Sequence, residues 1–111
     1  MAKLHISDYE LVYEGYIDKL AEEFMQMTTK REVLRLLQSL MTETELRYVA
    51  RRLQIAQELV NRVQQRTIAA YMNVDIASVT FVSKALQQNR YQWLSPQSKS
   101  KFPQVETSIA W

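Results

Sequence analysis

Residues 65–84, with the sequence QRTIAAYMNVDIASVTFVSK, carry the side chains best suited to contact another molecule. Towards the end of this stretch we expect an exposed face formed by Ala77, Ser78, Thr80, Phe81 and Lys84. Serine and threonine hydroxyls can bond bases or phosphates. Short side chains at the start of a helix also let its backbone lie deep in a major groove. The chemistry that this segment suggests is therefore recognition of a nucleic acid.

The pattern around this face is typical of a helix-turn-helix. Asn73 stands where the turn between two short helices needs a positive φ, which asparagine adopts more readily than most residues. Asp75 can cap the second helix and suits its positive N-terminal end. The residues expected to pack the two helices together are Ile68, Ala69, Met72, Val74, Val79 and Val82. The alternative is an ordinary helical hairpin within a bundle, because such spacings also occur by chance.

Catalytic and metal sites are not expected. The chain has no cysteine and a single histidine, His5, which excludes thiol chemistry and the usual zinc-ligand patterns. Two carboxylate pairs, Glu22 with Glu23 and Glu43 with Glu45, are adjacent or two residues apart, so they do not face each other on a helix. We therefore predict that the protein is not an enzyme and needs no metal or cofactor.

The composition favours one small all-α protein. Hydrophobic residues make up 47% and charged residues 23% of the 111-residue chain, which argues against disorder. One glycine, Gly15, is too few for the turns of a β-sandwich or barrel. No apolar run reaches the roughly 18–20 residues of a membrane span, and no signal peptide is recognisable. We therefore expect a cytoplasmic protein with no membrane association.

Charge is divided unevenly along the chain. The net charge is +2, but residues 1–50 carry six Lys or Arg against nine Asp or Glu, and residues 51–111 carry eight against three. The positive excess in the second half suits a polyanionic partner. A solvated basic face would have the same composition, so charge alone does not decide between the two.

Hydroxyl-x-x-glutamate motifs predict three helix starts, at Ser7, Thr29 and Thr42. Apolar residues three and four apart follow each motif. Asn61 is predicted to close the third helix in the left-handed conformation. The expected helices span residues 8–27, 30–40, 43–61, 64–72 and 76–88, with a sixth short stretch at 89–94. The predicted fold is all-α, with five to six helices in one domain over residues 1–94, a helix-turn-helix at about 64–88 and a flexible tail over 95–111.

Two longer segments resemble the tryptophan repressor superfamily, taken broadly to include its ligand-independent relatives. LLQSLMTETELRYVARRLQIAQELV (residues 36–60) is similar to the segment that leads into and along that family's central helix. QQRTIAAYMNVDIASVTFVSKAL (residues 64–86) is similar to its helix-turn-helix, with IASVT (residues 76–80) the closest part. The resemblance covers residues 8–94. It implies an intertwined homodimer that binds two-fold-symmetric operators and regulates transcription.

The resemblance also implies DNA contacts. Arg66 matches a position that contacts base edges from the first helix of the pair, and Ile76–Ser78 and Thr80 match positions at the start of the recognition helix. The predicted DNA-binding residues are Gln65, Arg66, Ile76, Ala77, Ser78, Thr80, Lys84 and Arg90. Further candidates for neutralising phosphates are Arg62, Lys99 and Lys101.

The amino-acid pocket of the family is only partly matched. Arg52 matches one of two arginines that sandwich the co-repressor, and Thr42 matches another pocket position. The second arginine is Phe81 here. Its ring could touch a thymine methyl, insert between bases or fill the vacated ligand site, and we predict the third of these because a solvated phenylalanine is disfavoured. The pocket glycine and serine are replaced by Val82 and Ala85. These differences predict a protein that does not respond to tryptophan, and they leave open whether another effector exists.

Together these observations predict a homodimeric, sequence-specific binder of double-stranded DNA that regulates transcription. The alternative is a helical protein–protein interaction module whose hairpin no longer contacts DNA. Phe81, Tyr91 and Trp93 favour this alternative, because aromatic residues are enriched at protein interfaces. Retention on a DNA column in a salt gradient would distinguish the two.

Overall fold

A computed structural model describes residues 6–96, which form five α-helices. The helices are α1 (Ile6–Met25), α2 (Lys30–Leu40), α3 (Glu43–Val60), α4 (Gln65–Met72) and α5 (Ile76–Gln87). No β-strand occurs in the described part of the chain, so the all-α prediction is confirmed. None of these five helices is long and apolar enough to cross a membrane.

The chain divides into two compact units between Glu43 and Thr44. The first unit contains α1 and α2, and it buries little of its apolar surface. Leu11 and Ile17 on α1 are 65% and 64% exposed, and no residue of α2 is buried. The apolar side chains of this unit are therefore largely uncovered in the single chain. The single domain predicted over residues 1–94 stays a prediction.

The second unit has a hydrophobic core built from three helices. The C-terminal part of α3, together with α4 and α5, buries Ile55, Ala56, Leu59, Val63, Ile68, Val79 and Val82. Ala69, Met72 and Val74 pack against this cluster, as the spacing predicted. A fully buried Leu59 or Ile68 stabilises the fold by about 1.5–3 kcal/mol, so this core sets the relation between α4 and α5.

Three left-handed residues end the last three helices. Arg62, Asn73 and Asn89 have φ angles of 68°, 54° and 61°. In each case the next residue donates its N–H to a carbonyl five residues earlier, for example Val63 to Glu58 at 3.0 Å. This bond satisfies a carbonyl that would otherwise lack a partner at the helix end. The prediction for Asn73 is confirmed.

Two predictions about helix ends are wrong. Asn61 does not close α3; its amide oxygen accepts from Gln57 Nε2 at 3.0 Å, its side chain is buried, and Arg62 takes the left-handed conformation instead. Residues 89–94 form turns rather than a sixth helix, because the left-handed Asn89 interrupts the helical path after α5. Within this stretch the Leu94 N–H donates to the Tyr91 carbonyl at 3.0 Å, a bond typical of one tight helical turn.

The helix starts follow the motifs in part. The Thr29 hydroxyl accepts from the Glu32 N–H at 3.2 Å and so caps α2 as predicted. The Glu32 carboxylate, however, accepts from the Thr28 N–H at 2.9 Å instead of reaching the N–H of the cap itself. Ser7 lies inside α1, not before it. Of the predicted tail, Ser95 and Pro96 are described, and residues 97–111 lie outside the described part.

Candidate nucleic-acid interface

Helices α4 and α5 are joined by a turn of only three residues, Asn73 to Asp75. The left-handed Asn73 reverses the chain, and the Val74 N–H returns to the Ala69 carbonyl at 3.0 Å. Val79 and Val82 on α5 are fully buried on the side that packs in the core. This packing fixes the orientation of α5 relative to α4, and with it the direction in which the opposite side of α5 faces.

Two side-chain hydrogen bonds tie α4 to α5 directly. Gln65, the first residue of α4, donates from Nε2 to Ser83 Oγ at 3.2 Å. Its Oε1 atom lies 3.2 Å from the hydroxyl of Thr80, which donates to it. The Thr80 hydroxyl is also within 3.0 Å of the Ile76 carbonyl. Gln65 and Thr80, both predicted to contact DNA, are thus engaged with each other across the helix pair.

Asp75 occupies the N-cap position of α5, but its side chain makes no capping hydrogen bond, so the predicted cap is confirmed in position only. Its carboxylate accepts a short hydrogen bond from the Ser78 hydroxyl, which lowers the pKa of Asp75 below its ordinary value of 3.8. The positive charge of Arg51 acts in the same direction. Asp75 therefore stays ionised, and it orients the Ser78 hydroxyl at the start of α5.

The remaining predicted DNA-binding residues are exposed. Ile76 is 49% exposed, and Ala77 lies beside it in the first turn of α5. Arg66 is exposed in the first turn of α4. Lys84 is exposed in the last turn of α5, and Arg90 is exposed after that helix ends. Helices α4 and α5 thus present exposed side chains at the start of α5. The cation Arg66 precedes them in the chain, and the cations Lys84 and Arg90 follow them.

The predicted ligand-pocket residues are only partly brought together. The Arg52 guanidinium lies over the Phe81 ring, 4.9 Å from its centroid, and Phe81 remains 55% exposed. A cavity of about 270 Å³ is lined by Arg52, Phe81, Ala85, Arg90 and Tyr91. Val82 is buried in the core. Thr42 precedes α3 and belongs to the other compact unit.

A second arginine–aromatic pair was not predicted from the sequence. The Arg51 guanidinium lies 4.4 Å from the centroid of the Tyr48 ring. Both residues line a further cavity of about 270 Å³, together with Arg52, Ile55, Asp75, Ala77, Ser78 and Phe81. The spacing of three between tyrosine and arginine on a helix was the signal that could have revealed the pair. No group of three or more metal-ligating side chains occurs within residues 6–96.

Comparison with known protein families identifies the family of this chain. The family model described as Trp repressor protein matches residues 16–100, which include all five predicted contacts from Arg66 to Thr80. The chain belongs to the Trp repressor family. Members of this family are helix-turn-helix DNA-binding regulators and not enzymes. Searches of curated proteins and of solved structures each gave no match.

Proposed function

We propose that this Trp repressor family member is a homodimeric, sequence-specific DNA-binding regulator that inserts α5 into the major groove. The observation that carries this proposal is the exposure of Ile76 and Ala77 at the start of α5. Ala77 is short enough for the helix backbone to approach the base edges, Ile76 presents an exposed apolar surface, and Ser78 adds a hydroxyl. Arg66 at the start of α4 is the proposed guanine or phosphate contact.

Exposed apolar surface supports the dimer. Ile17 on α1 and Val49 and Leu53 on α3 are 64%, 47% and 47% exposed in the single chain. Covering such side chains contributes about 25 cal/mol for each Å² removed from water, which favours a second copy. A two-fold dimer would place two α5 helices in successive major grooves, with half-sites about one helical turn apart.

We further propose that DNA binding does not require tryptophan. Phe81 stands at a position where the family has an arginine that binds the co-repressor, and its ring packs under Arg52. An uncharged ring offers no partner to an amino-acid carboxylate. Millimolar tryptophan should therefore leave the affinity for duplex DNA unchanged within twofold, and a larger increase in affinity would contradict this part of the proposal.

Selection from a random duplex library, combined with light scattering, tests the function. We expect a dimer that enriches a two-fold-symmetric site, with affinity that falls steeply as salt increases. A dimer that retains no sequence preference, or a chain that binds no duplex, would overturn the proposal. Each measurement should be made at two salt concentrations, since affinity without a stated salt concentration has little meaning.

The second candidate is a protein–protein interaction module. Tyr71, Phe81 and Trp93 are 61%, 55% and 67% exposed, and exposed aromatic rings are typical of protein interfaces. This function requires that α4 and α5 of this Trp repressor family member no longer bind DNA. The same selection experiment distinguishes the two, because only the interaction module predicts the absence of an enriched duplex.

A further inference from the structure

The Arg51–Tyr48 pair lies on α3, outside the helix pair to which DNA recognition is assigned. Tyr48, Arg51, Arg52 and Ile55 are spaced by three and four residues, so they share one face of α3. Val49 and Leu53, which we assign to the dimer interface, lie on a different face of the helix. The stacked arginine is therefore not part of the surface proposed for dimerisation.

This face of α3 opens onto the same cavity as the start of α5. Tyr48 and Arg51 line it from one side, and Ala77 and Ser78 line it from the other. Asp75, the N-cap residue of α5, lines the same cavity and so lies near Arg51 at the first turn of that helix. A duplex whose major groove held Ala77 and Ser78 would bring its sugar–phosphate backbone next to Arg51.

We propose that Arg51, held against the Tyr48 ring, binds a phosphate of the DNA that flanks the bases contacted by α5. This inference rests on the proposed DNA-binding function. Stacking on an aromatic ring restricts the arginine side chain before binding, so less conformational entropy is lost when the phosphate is bound. Arginine also presents a planar set of donors that matches two phosphate oxygens.

The salt dependence of duplex affinity tests the contact. Arg51→Gln should reduce the slope of log affinity against log salt by about 1.8, because each dimer loses two phosphate contacts worth about 0.9 apiece. It should weaken all duplexes by a similar factor, roughly tenfold at low salt, without changing their rank order. The matched control is Arg31→Gln, which removes an exposed arginine from α2.

Substitutions of Tyr48 separate the ring from the charge. Tyr48→Phe keeps the stacking surface and should bind like wild type. Tyr48→Leu removes the ring but leaves Arg51, so affinity should fall roughly two- to fivefold with the salt slope unchanged. Arg51→Lys keeps the charge but not the planar set of donors, so it should retain the wild-type slope and lose affinity roughly two- to fivefold, whereas full wild-type affinity in this variant would contradict the proposed phosphate contact even where Arg51→Gln folds poorly. Light scattering and circular dichroism verify that each variant remains folded and dimeric.

The outcomes separate this inference from the function on which it rests. If wild type binds its selected duplex and Arg51→Gln has the same slope and affinity as Arg31→Gln, the Arg51 contact is wrong and the DNA-binding function stands. If Arg51→Gln changes the rank order of duplex sequences, Arg51 contacts bases instead and the phosphate assignment fails. If wild type binds no duplex at any salt concentration, both proposals fail.

Discussion

Gln65 donates a hydrogen bond to Ser83 across the two helices, with 3.2 Å between Nε2 and Oγ. Ser83 is only 2% exposed, so its hydroxyl has few other partners available. The same amide accepts from Thr80 through its oxygen, at 3.2 Å. One side chain at the start of α4 thus bonds two residues of α5, in addition to the packing of the two helices in the core.

Loss of this amide should reduce sequence discrimination more than general DNA affinity. Gln65→Ala leaves the buried Ser83 hydroxyl without its partner, which costs about 1–3 kcal/mol of folding free energy. If α5 then sits less firmly against α4, selected duplexes should lose affinity while random duplexes lose little, and the salt slope should stay unchanged. Competition binding with a selected and a random duplex measures this ratio.

Gln64→Ala is the matched control for Gln65→Ala. Gln64 is the exposed neighbouring residue, and its side chain makes no capping hydrogen bond to α4. We expect Gln64→Ala to keep the discrimination ratio of wild type. Equal ratios for the two variants would show that Gln65 does not act through the position of α5, and a reduced salt slope in Gln65→Ala would indicate a direct phosphate contact.

Arg66→Ala should weaken binding to the selected duplex by about 1–3 kcal/mol for each half-site if Arg66 contacts a guanine. The reason is that a bidentate arginine–guanine contact is lost and no other residue replaces it. Selection with the variant should then show relaxed preference at one base pair in each half-site. Uniform weakening across all sequences, with a slope lower by about 1 for each half-site and so about 2 for the dimer, would assign Arg66 to a phosphate instead. An affinity equal to that of wild type would remove Arg66 from the interface.

Much of the fold could be predicted because its determinants are local in sequence. The apolar spacing defined five helices, and Asn73 was recognised as a left-handed turn residue because few other residues adopt that conformation readily. The same rule failed at Asn61, where tertiary packing prevailed. The Asn61 side chain is buried and bonded to Gln57, and Arg62, an exposed residue with no special preference, takes the positive φ.

The details of the candidate site were harder to predict, since they depend on contacts between distant residues. Gln65 and Ser83 are 18 residues apart, and nothing in local spacing shows that they meet. Phe81 was expected to fill a pocket, yet it remains 55% exposed with Arg52 over one face of its ring. Exposure of this kind is set by how α3 and α5 pack, which the helical period alone does not determine.

Arg62→Gly should stabilise the protein. Arg62 adopts a φ of 68°, which costs a non-glycine residue about 1–2 kcal/mol, whereas glycine avoids this cost but loses more backbone entropy on folding. We expect a net gain of about 0.5–1 kcal/mol in the free energy of unfolding, measured by urea denaturation at one fixed protein concentration.

Arg66→Gly provides the opposite control for Arg62→Gly. Arg66 lies within α4, where glycine costs about 0.5–1 kcal/mol relative to a good helix former. The same change of residue type should therefore have opposite signs at the two positions. A loss of stability in both variants would mean that the Arg62 side chain makes a favourable interaction that outweighs its backbone strain.

The hydrogen bond between Ser78 and Asp75 should be visible as a pH effect. The bond from the Ser78 hydroxyl lowers the pKa of Asp75 below 3.8, so folding favours the ionised carboxylate. Its contribution to stability is then present above the ordinary pKa and is lost as the pH falls through the lower pKa of the folded protein. In Ser78→Ala the pKa of Asp75 should rise towards its ordinary value, as measured by NMR titration of the carboxyl group.

The matched control is Ser39→Ala, which removes an exposed hydroxyl bonded to the Leu36 carbonyl on α2 and should leave the Asp75 titration unchanged. An unchanged titration in Ser78→Ala would show that the Ser78 hydroxyl does not set the pKa of Asp75.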